Sequence, residues 1–236
     1  MRRMWLGPRT GRTAILALMF AASSVAAAGL GGCSRATSAA TSAPHSDGPD
    51  GISALPAPSG VHVVVNHHPV HMTLELDGTD VGIADDDPGV WVVDGQIIQV
   101  AVVPRAAIYG GSRFEASYAA NVSNAQLLLD HLAWESDWAS SELGLQVRAR
   151  QHECHTARGA ECLVSDYDLA STRRNLLITT VVNDQVVALA SVVPASGDPA
   201  EAEARLRAVL ETIMPHDRWI DPAQEATRFH RVPVGP

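Results

Sequence analysis

Three groups of residues have the chemistry to make or hold a bond. The first is Cys33, which closes Leu30-Gly31-Gly32-Cys33 at the end of an apolar segment. In a box of this kind the small residues let extended backbone enter a peptidase site, and the thiol is the nucleophile that receives a diacylglyceryl group. The second is Cys154 and Cys162, eight residues apart. The third is the histidine group His62, His67, His68 and His71, in which His67 and His71 share a face of extended backbone. Two imidazoles there, helped by Glu75 or the Asp85-Asp86-Asp87 run, form a weak candidate site for zinc or copper. Asp85-Asp86-Asp87-Pro88-Gly89 lacks the alternating carboxylates of a calcium loop and reads as an exposed turn.

The absences also exclude chemistry. All seventeen basic residues are arginine, so Schiff-base, Walker and Ser-Lys lysines are ruled out. Gly-x-Ser-x-Gly, Ser-x-x-Lys and His-Glu-x-x-His do not occur. No catalytic residue is assigned; an envelope hydrolase would need an acidic site that no motif marks. Arg148, Arg150, Arg173 and Arg174 either form a small anion site or pair with Glu153, Asp166 and Asp168, and pairing is the reading preferred.

The elements that position Cys33 are a basic stretch with Arg2, Arg3, Arg9 and Arg12 and the Ala-rich run Thr13 to Leu30, the n-region and h-region of a signal. The alternatives are an ordinary secretory signal cut near Ala26-Ala27-Ala28 and an uncleaved span, for which the run is short. Arg2-Arg3-Met4-Trp5-Leu6 also fits a twin-arginine signal. Residues 1–32 are therefore expected to be a lipoprotein signal peptide, with the mature chain anchored through Cys33 to the outer face of the cell membrane. Two or more acyl chains anchor stably where one does not.

Loss of the four leader arginines leaves thirteen basic against twenty-six acidic residues, a formal charge of −13. Nucleic acid and anionic surfaces are poor partners for it. Residues 33–60, rich in Ala, Ser, Thr, Pro and Gly, are expected to be a linker.

From Val61 the pattern changes to strands. Val61-Val65 and Val70-Leu76 come first, then Val90-Val93 and Gln96-Val103 around the hairpin signal Asp94-Gly95. Ser123 with Gln126 opens a helix whose stripe is Ala125, Leu128, Leu129, Leu132, Ala139 and Leu143, and Gly144 suits its end. Trp134 and Trp138 flank that stripe. A four-stranded meander over Leu145-Glu153, Ala160-Leu169, Asn175-Val182 and Gln185-Val193 follows. In its first hairpin a three-residue loop, Ala157-Arg158-Gly159 with Gly159 left-handed, puts Cys154 opposite Cys162. Cross-strand Cα atoms are about 4.5 to 5.5 Å apart, which suits a disulfide. A free pair, a metal-bound pair and a redox pair are the other readings. Asp198 and Pro199 begin a second helix with Ala202, Leu206, Val209, Leu210 and Ile213 inward, which Pro215 ends; residues 221–236 form a tail. Strands, helix, strands, helix predict an α+β domain over 61–220, an antiparallel sheet with two main helices packed on it.

This order resembles the PsbP-like fold, and in particular the LpqN-type envelope lipoproteins of actinobacteria. The likeness rests on the lipobox, the Ser/Thr/Ala linker, the strand Gln96-Val103, the helix Asn124-Leu143, the hairpin with Gly159-Ala160 before Val164-Tyr167, the meander, and the closing helix followed by Trp219-Ile220. Where that family often opens on an aromatic-Pro-Gly-Trp stretch, this chain has the His-rich Val61-Met72. The resemblance implies a non-catalytic binding or assembly accessory, whose partner is an envelope protein or an envelope lipid or glycan, and it carries over no site residue.

Overall fold

The computed structural model describes residues 50–84, 87–110, 119, 121–170 and 173–229. Cys33, the signal, and Asp85 and Asp86 lie outside them. The chain is α+β, with two antiparallel sheets rather than the single one expected.

The smaller sheet has the order β1-β2-β3-β11 and is built from β1 (Gly51–Ala57), β2 (Gly60–His67), β3 (Val70–Asp77) and β11 (Met214–His216). The larger has the order β4-β5-β6-β10-β9-β8-β7, from β4 (Val81–Ile83), β5 (Val90–Val93), β6 (Gln96–Val103), β7 (Arg150–His155), β8 (Glu161–Ala170), β9 (Arg173–Val182) and β10 (Gln185–Pro194). Among the described residues four helices join them: α1 (Arg105–Tyr109), α2 (Asn124–Leu143), α3 (Pro199–Thr212) and α4 (Pro222–Phe229).

Two boundaries differ from expectation. The linker does not extend to residue 60, because Gly51 to Ala57 pair one-to-one with β2 from Gly51↔Asn66 to Ala57↔Gly60. The segment is poor in large apolar residues because an edge strand buries only part of its surface; Ile52 still packs on the core. The domain does not end at residue 220 either, since α4 follows Ile220 and packs on β1. Pro215, expected only to end a helix, sits in β11 opposite Met72, an edge strand where the missing N–H costs nothing.

The main core lies between the smaller sheet with α3 and one face of the larger sheet. Met72, Leu74 and Leu76 of β3 meet Ile98 and Val100 of β6, Ile178 of β9 and Leu189 of β10, and Leu206 and Leu210 of α3 close it. Ala202, Leu206, Val209, Leu210 and Ile213, the predicted stripe, are all buried. Helix α2 covers the opposite face, where Leu127, Leu128 and Leu132 pack on Val103, Leu163 and Val186. Its ends follow the sequence signals: Ser123 Oγ accepts from the Gln126 N–H, and Gly144 is left-handed with φ 65°.

Both tight turns are of the mirror-image kind that two-residue hairpins favour. Asp94 and Gly95 have φ of 48° and 82°, and Asn183 and Asp184 have 46° and 63°. In the β7–β8 hairpin Gly159 has φ 82°, and Cys154 pairs directly with Cys162 at a Cα separation of 4.8 Å, joined as a disulfide.

Candidate functional site

Alternation along β8 and β9 sends Ser165 and Tyr167, and Asn175 and Thr179, to the sheet face that α2 covers, and all four are buried. On α2 the row Leu127, His131, Glu135 follows the four-residue spacing that keeps side chains on one face. His131 is 0% exposed and Glu135 4%. A polar layer is therefore sealed between helix and sheet.

Inside it, His131 Nε2 is 3.9 Å from Glu135 Oε1, and Trp134 stacks on the imidazole at a ring separation of 6.0 Å. Across the interface, Asn175 Nδ2 donates to Tyr167 Oη at 2.9 Å. Four buried atoms have no hydrogen-bond partner among the described residues: His131 Nδ1 and Nε2, Glu135 Oε2 and Asn175 Oδ1. Such atoms cost about 1 to 3 kcal/mol each unless something meets them. Asp130, earlier in α2, is occupied: Tyr109 Oη donates to one oxygen at 2.8 Å and Gln126 Nε2 to the other at 2.9 Å.

Burial sets the protonation states. It pushes the Glu135 carboxyl up to about 7 and the His131 imidazole down to about 4, because each charged form loses its hydration. Tyr167 is raised as well, first by burial and then by the Glu135 charge, with the Asn175 hydrogen bond opposing. Burial thus favours the neutral imidazole and the protonated carboxyl within this layer.

A second feature opens to solvent. A cavity of about 370 Å³ lies where the start of α3 meets the ends of β6 and β10, lined by Gln96, Ser191, Val193, Arg173, Glu201 and Arg205 among others. Gln96 Nε2 donates to Ser191 Oγ at 2.8 Å. Arg205 is engaged, donating to Val93 O at 2.9 Å with Asp94 Oδ2 at 3.6 Å. Asp94 also accepts from the Asp80 N–H and from the hydroxyl and N–H of Thr79, and these bonds hold its carboxyl below the ordinary value. Arg173 and Glu201, of opposite charge, line this cavity and neither forms an ion pair with a described residue.

Of the histidines that the sequence singled out, His62 and His71 are engaged, while His67 is half-buried with its Nδ1 lacking a hydrogen-bond partner among the described residues. His62 is buried, and its Nδ1 meets Glu75 Oε1 at 2.6 Å while Nε2 lies 3.8 Å from Glu225 Oε1 of α4. Glu75 is thereby drawn away from the His67, His68 and His71 group. His71 is buried with Nδ1 3.1 Å from Asn66 Oδ1, His68 is exposed beside the cis His68–Pro69 bond, and the His68 and His71 rings are 6.3 Å apart. Asp87 accepts from the Gly89 N–H within its own turn. Among the described residues no group of three or more His, Cys, Asp or Glu side chains is placed together. The arginines divide: Arg150 pairs with Asp166 and Asp168, and Arg174 sits 3.7 and 3.4 Å from them, whereas Arg173 lines the cavity.

Sequence reasoning missed His131, Glu135, Tyr167 and Asn175. A search for an apolar helical stripe passes over His131 and Glu135 because they interrupt it. The usable signal was that they continue the Leu127 row at the same spacing. No helix among the described residues is long and apolar enough to cross a membrane. Comparison with protein-family models, with curated proteins and with solved structures finds no match.

Proposed function

We propose that the chain is an exported lipoprotein of the LpqN type with a PsbP-like fold, anchored by lipidated Cys33 to the outer face of the cell membrane. There it acts as a non-catalytic binding or assembly module for an envelope protein or an envelope lipid or glycan. The cavity at the start of α3 supports this reading: about 370 Å³ of space in which Arg173 and Glu201 have no ionic partner among the described residues. That volume is in the range of small-ligand sites, and an open pair of unlike charges is suited to recognition.

The test is native mass spectrometry of the mature chain purified from its own host's membranes in mild detergent. A discrete extra mass or a stoichiometric protein is expected. It should be lost on Arg173→Glu and retained on Arg150→Glu, which alters a charge already paired on the sheet. A bare chain, or a bound mass indifferent to Arg173→Glu, would overturn the assignment.

A further inference from the structure

We infer that the cavity at the start of α3 takes a short zwitterionic peptide, with its carboxylate at Arg173 and its free ammonium at Glu201. This rests on the reading of that cavity as the binding site and names the chemistry of what enters it.

The cavity lies where two neighbouring strands of the larger sheet part. Strand β6 pairs with β10 only as far as Ile98↔Ser191, whereas β10 stays paired with β9 to Pro194↔Arg173. Past that point Gln96 and Ile97 are paired only with β5, and Val192 and Val193 only with β9. All four residues line the cavity. Gln96 Nε2 and Ser191 Oγ, 2.8 Å apart, bridge the two strands there. Backbone N–H and C=O groups seek hydrogen-bond partners, and an extended peptide meets a strand edge through its own amides. A lipid headgroup without amides has no such match.

The charges decide which ends the peptide must carry. Five charged side chains line the cavity, Asp94, Arg173, Asp198, Glu201 and Arg205, and three of them are committed. Arg205 lies 3.6 Å from Asp94 Oδ2 and donates to Val93 O. Asp198 Oδ1 accepts from the Ala200 N–H as the cap of α3. What remains is one cation, Arg173, and one anion, Glu201, neither paired with the other nor with any described residue. An anion alone would sit beside Glu201 and Asp198, and a cation alone would meet Arg173. A ligand with one charge of each sign satisfies both, and the planar fork of arginine suits a carboxylate. The remaining wall is aliphatic, with Ile97, Val193 and Ala202, and no aromatic ring is among the described lining residues. A sugar ring or a nucleobase therefore finds no stacking surface, while a small apolar side chain does find a wall. A volume of about 370 Å³ is at the lower end of small-ligand sites, which limits the ligand to a few residues.

The test is isothermal titration calorimetry of the mature chain in mild detergent with the dipeptide alanylalanine, its N-acetyl form and its C-terminal amide. The free dipeptide is expected to bind, and blocking either end to weaken it about tenfold, the loss of one charge-assisted pair. Arg173→Gln should remove the penalty for amidation and keep that for acetylation, and Glu201→Gln should do the reverse. Arg173 is half-buried and Glu201 exposed, so neither change disturbs the core. Arg150→Gln should leave both penalties in place. No binding of any of the three peptides, or equal affinity for free and blocked forms, overturns the inference, as does preference for phosphoethanolamine or a neutral disaccharide over the dipeptide. If the mass carried from the host's membranes depends on Arg173 while the peptides do not bind, the cavity stands as a binding site and only its ligand class is refuted. A bare chain that also ignores the peptides refutes both.

Discussion

The substitution Glu135→Gln should change how stability depends on pH, by an amount the structure sets. Burial raises the Glu135 carboxyl in the folded chain to about 7, against its ordinary 4.5. Glu135 therefore contributes stability that is fully present below pH 4.5 and is lost as pH rises to about 7. The interval corresponds to about 3 kcal/mol. His131 acts in the opposite sense. Its folded value of about 4 lies below the ordinary 6.5, so its contribution is present above pH 6.5 and is lost as pH falls to about 4, again about 3 kcal/mol. Between pH 4.5 and 6.5 the two slopes cancel, and the pair leaves no pH signature in the wild type. Glutamine keeps the shape and removes one titration. The stability of Glu135→Gln minus that of the wild type should then rise by about 3 kcal/mol from pH 4.5 to 7, while His131→Leu minus wild type should rise by a similar amount as pH falls from 6.5 to 4. Urea unfolding at half-unit pH intervals, with the disulfide intact, measures both differences, and all other titrating groups drop out. Parallel pH profiles for Glu135→Gln and wild type would refute the reasoning, since they would mean that the carboxyl is solvated in the folded chain.

Three further outcomes are expected. Cys33→Ala should move the protein from the membrane to the soluble exported fraction, and full retention in membranes would remove the lipobox reading. Mass spectrometry without reductant should find Cys154 joined to Cys162, and reduction should lower unfolding stability by about 2 to 3 kcal/mol for a loop of this length; two free thiols in exported material would contradict the hairpin. Asn66→Ala should cost about 2 to 4 kcal/mol, because Asn66 Nδ2 donates to Ile220 O at 2.8 Å and its Oδ1 accepts from the Ile220 N–H at 3.0 Å. Hydrogen exchange in α4 should quicken while β9 and β10 stay protected; unchanged exchange in α4 would show that Ile220 does not fasten it.

The parts of this molecule that were legible in its sequence are those governed by local chemistry. Gly159 supplies a left-handed residue at the one point where it places Cys154 across from Cys162, so a disulfide followed from eight residues alone. Asp94-Gly95 and Asn183-Asp184 likewise define their hairpins, and Asp198 with Pro199 the start of α3. The parts that were not legible depend on partners distant in sequence. Strand β1 contains Ser53 and Pro56 and reads as linker until β2 is seen to supply seven paired positions. The polar layer was illegible for the opposite reason: His131 and Glu135 are ordinary surface residues on a helix until Tyr167 and Asn175 arrive more than thirty positions later to enclose them.

The start of β1 also fixes where the chain enters the fold. Gly51 pairs with Asn66, the His68 N–H bonds to Asp50, and Asn183 Nδ2 donates to Pro69 O at 3.2 Å, so the point where the chain enters the fold lies beside the β2–β3 and β9–β10 turns. Only seventeen residues lie between Cys33 and Gly51, a span of at most about 60 Å. The cavity at the start of α3 is at the other end of β10, about 30 Å away along that strand. In a chain held at Cys33, the tether would join the fold at the end of β10 that carries the Asn183-Asp184 turn, and the opening lined by Arg173 and Glu201 would lie at the opposite end.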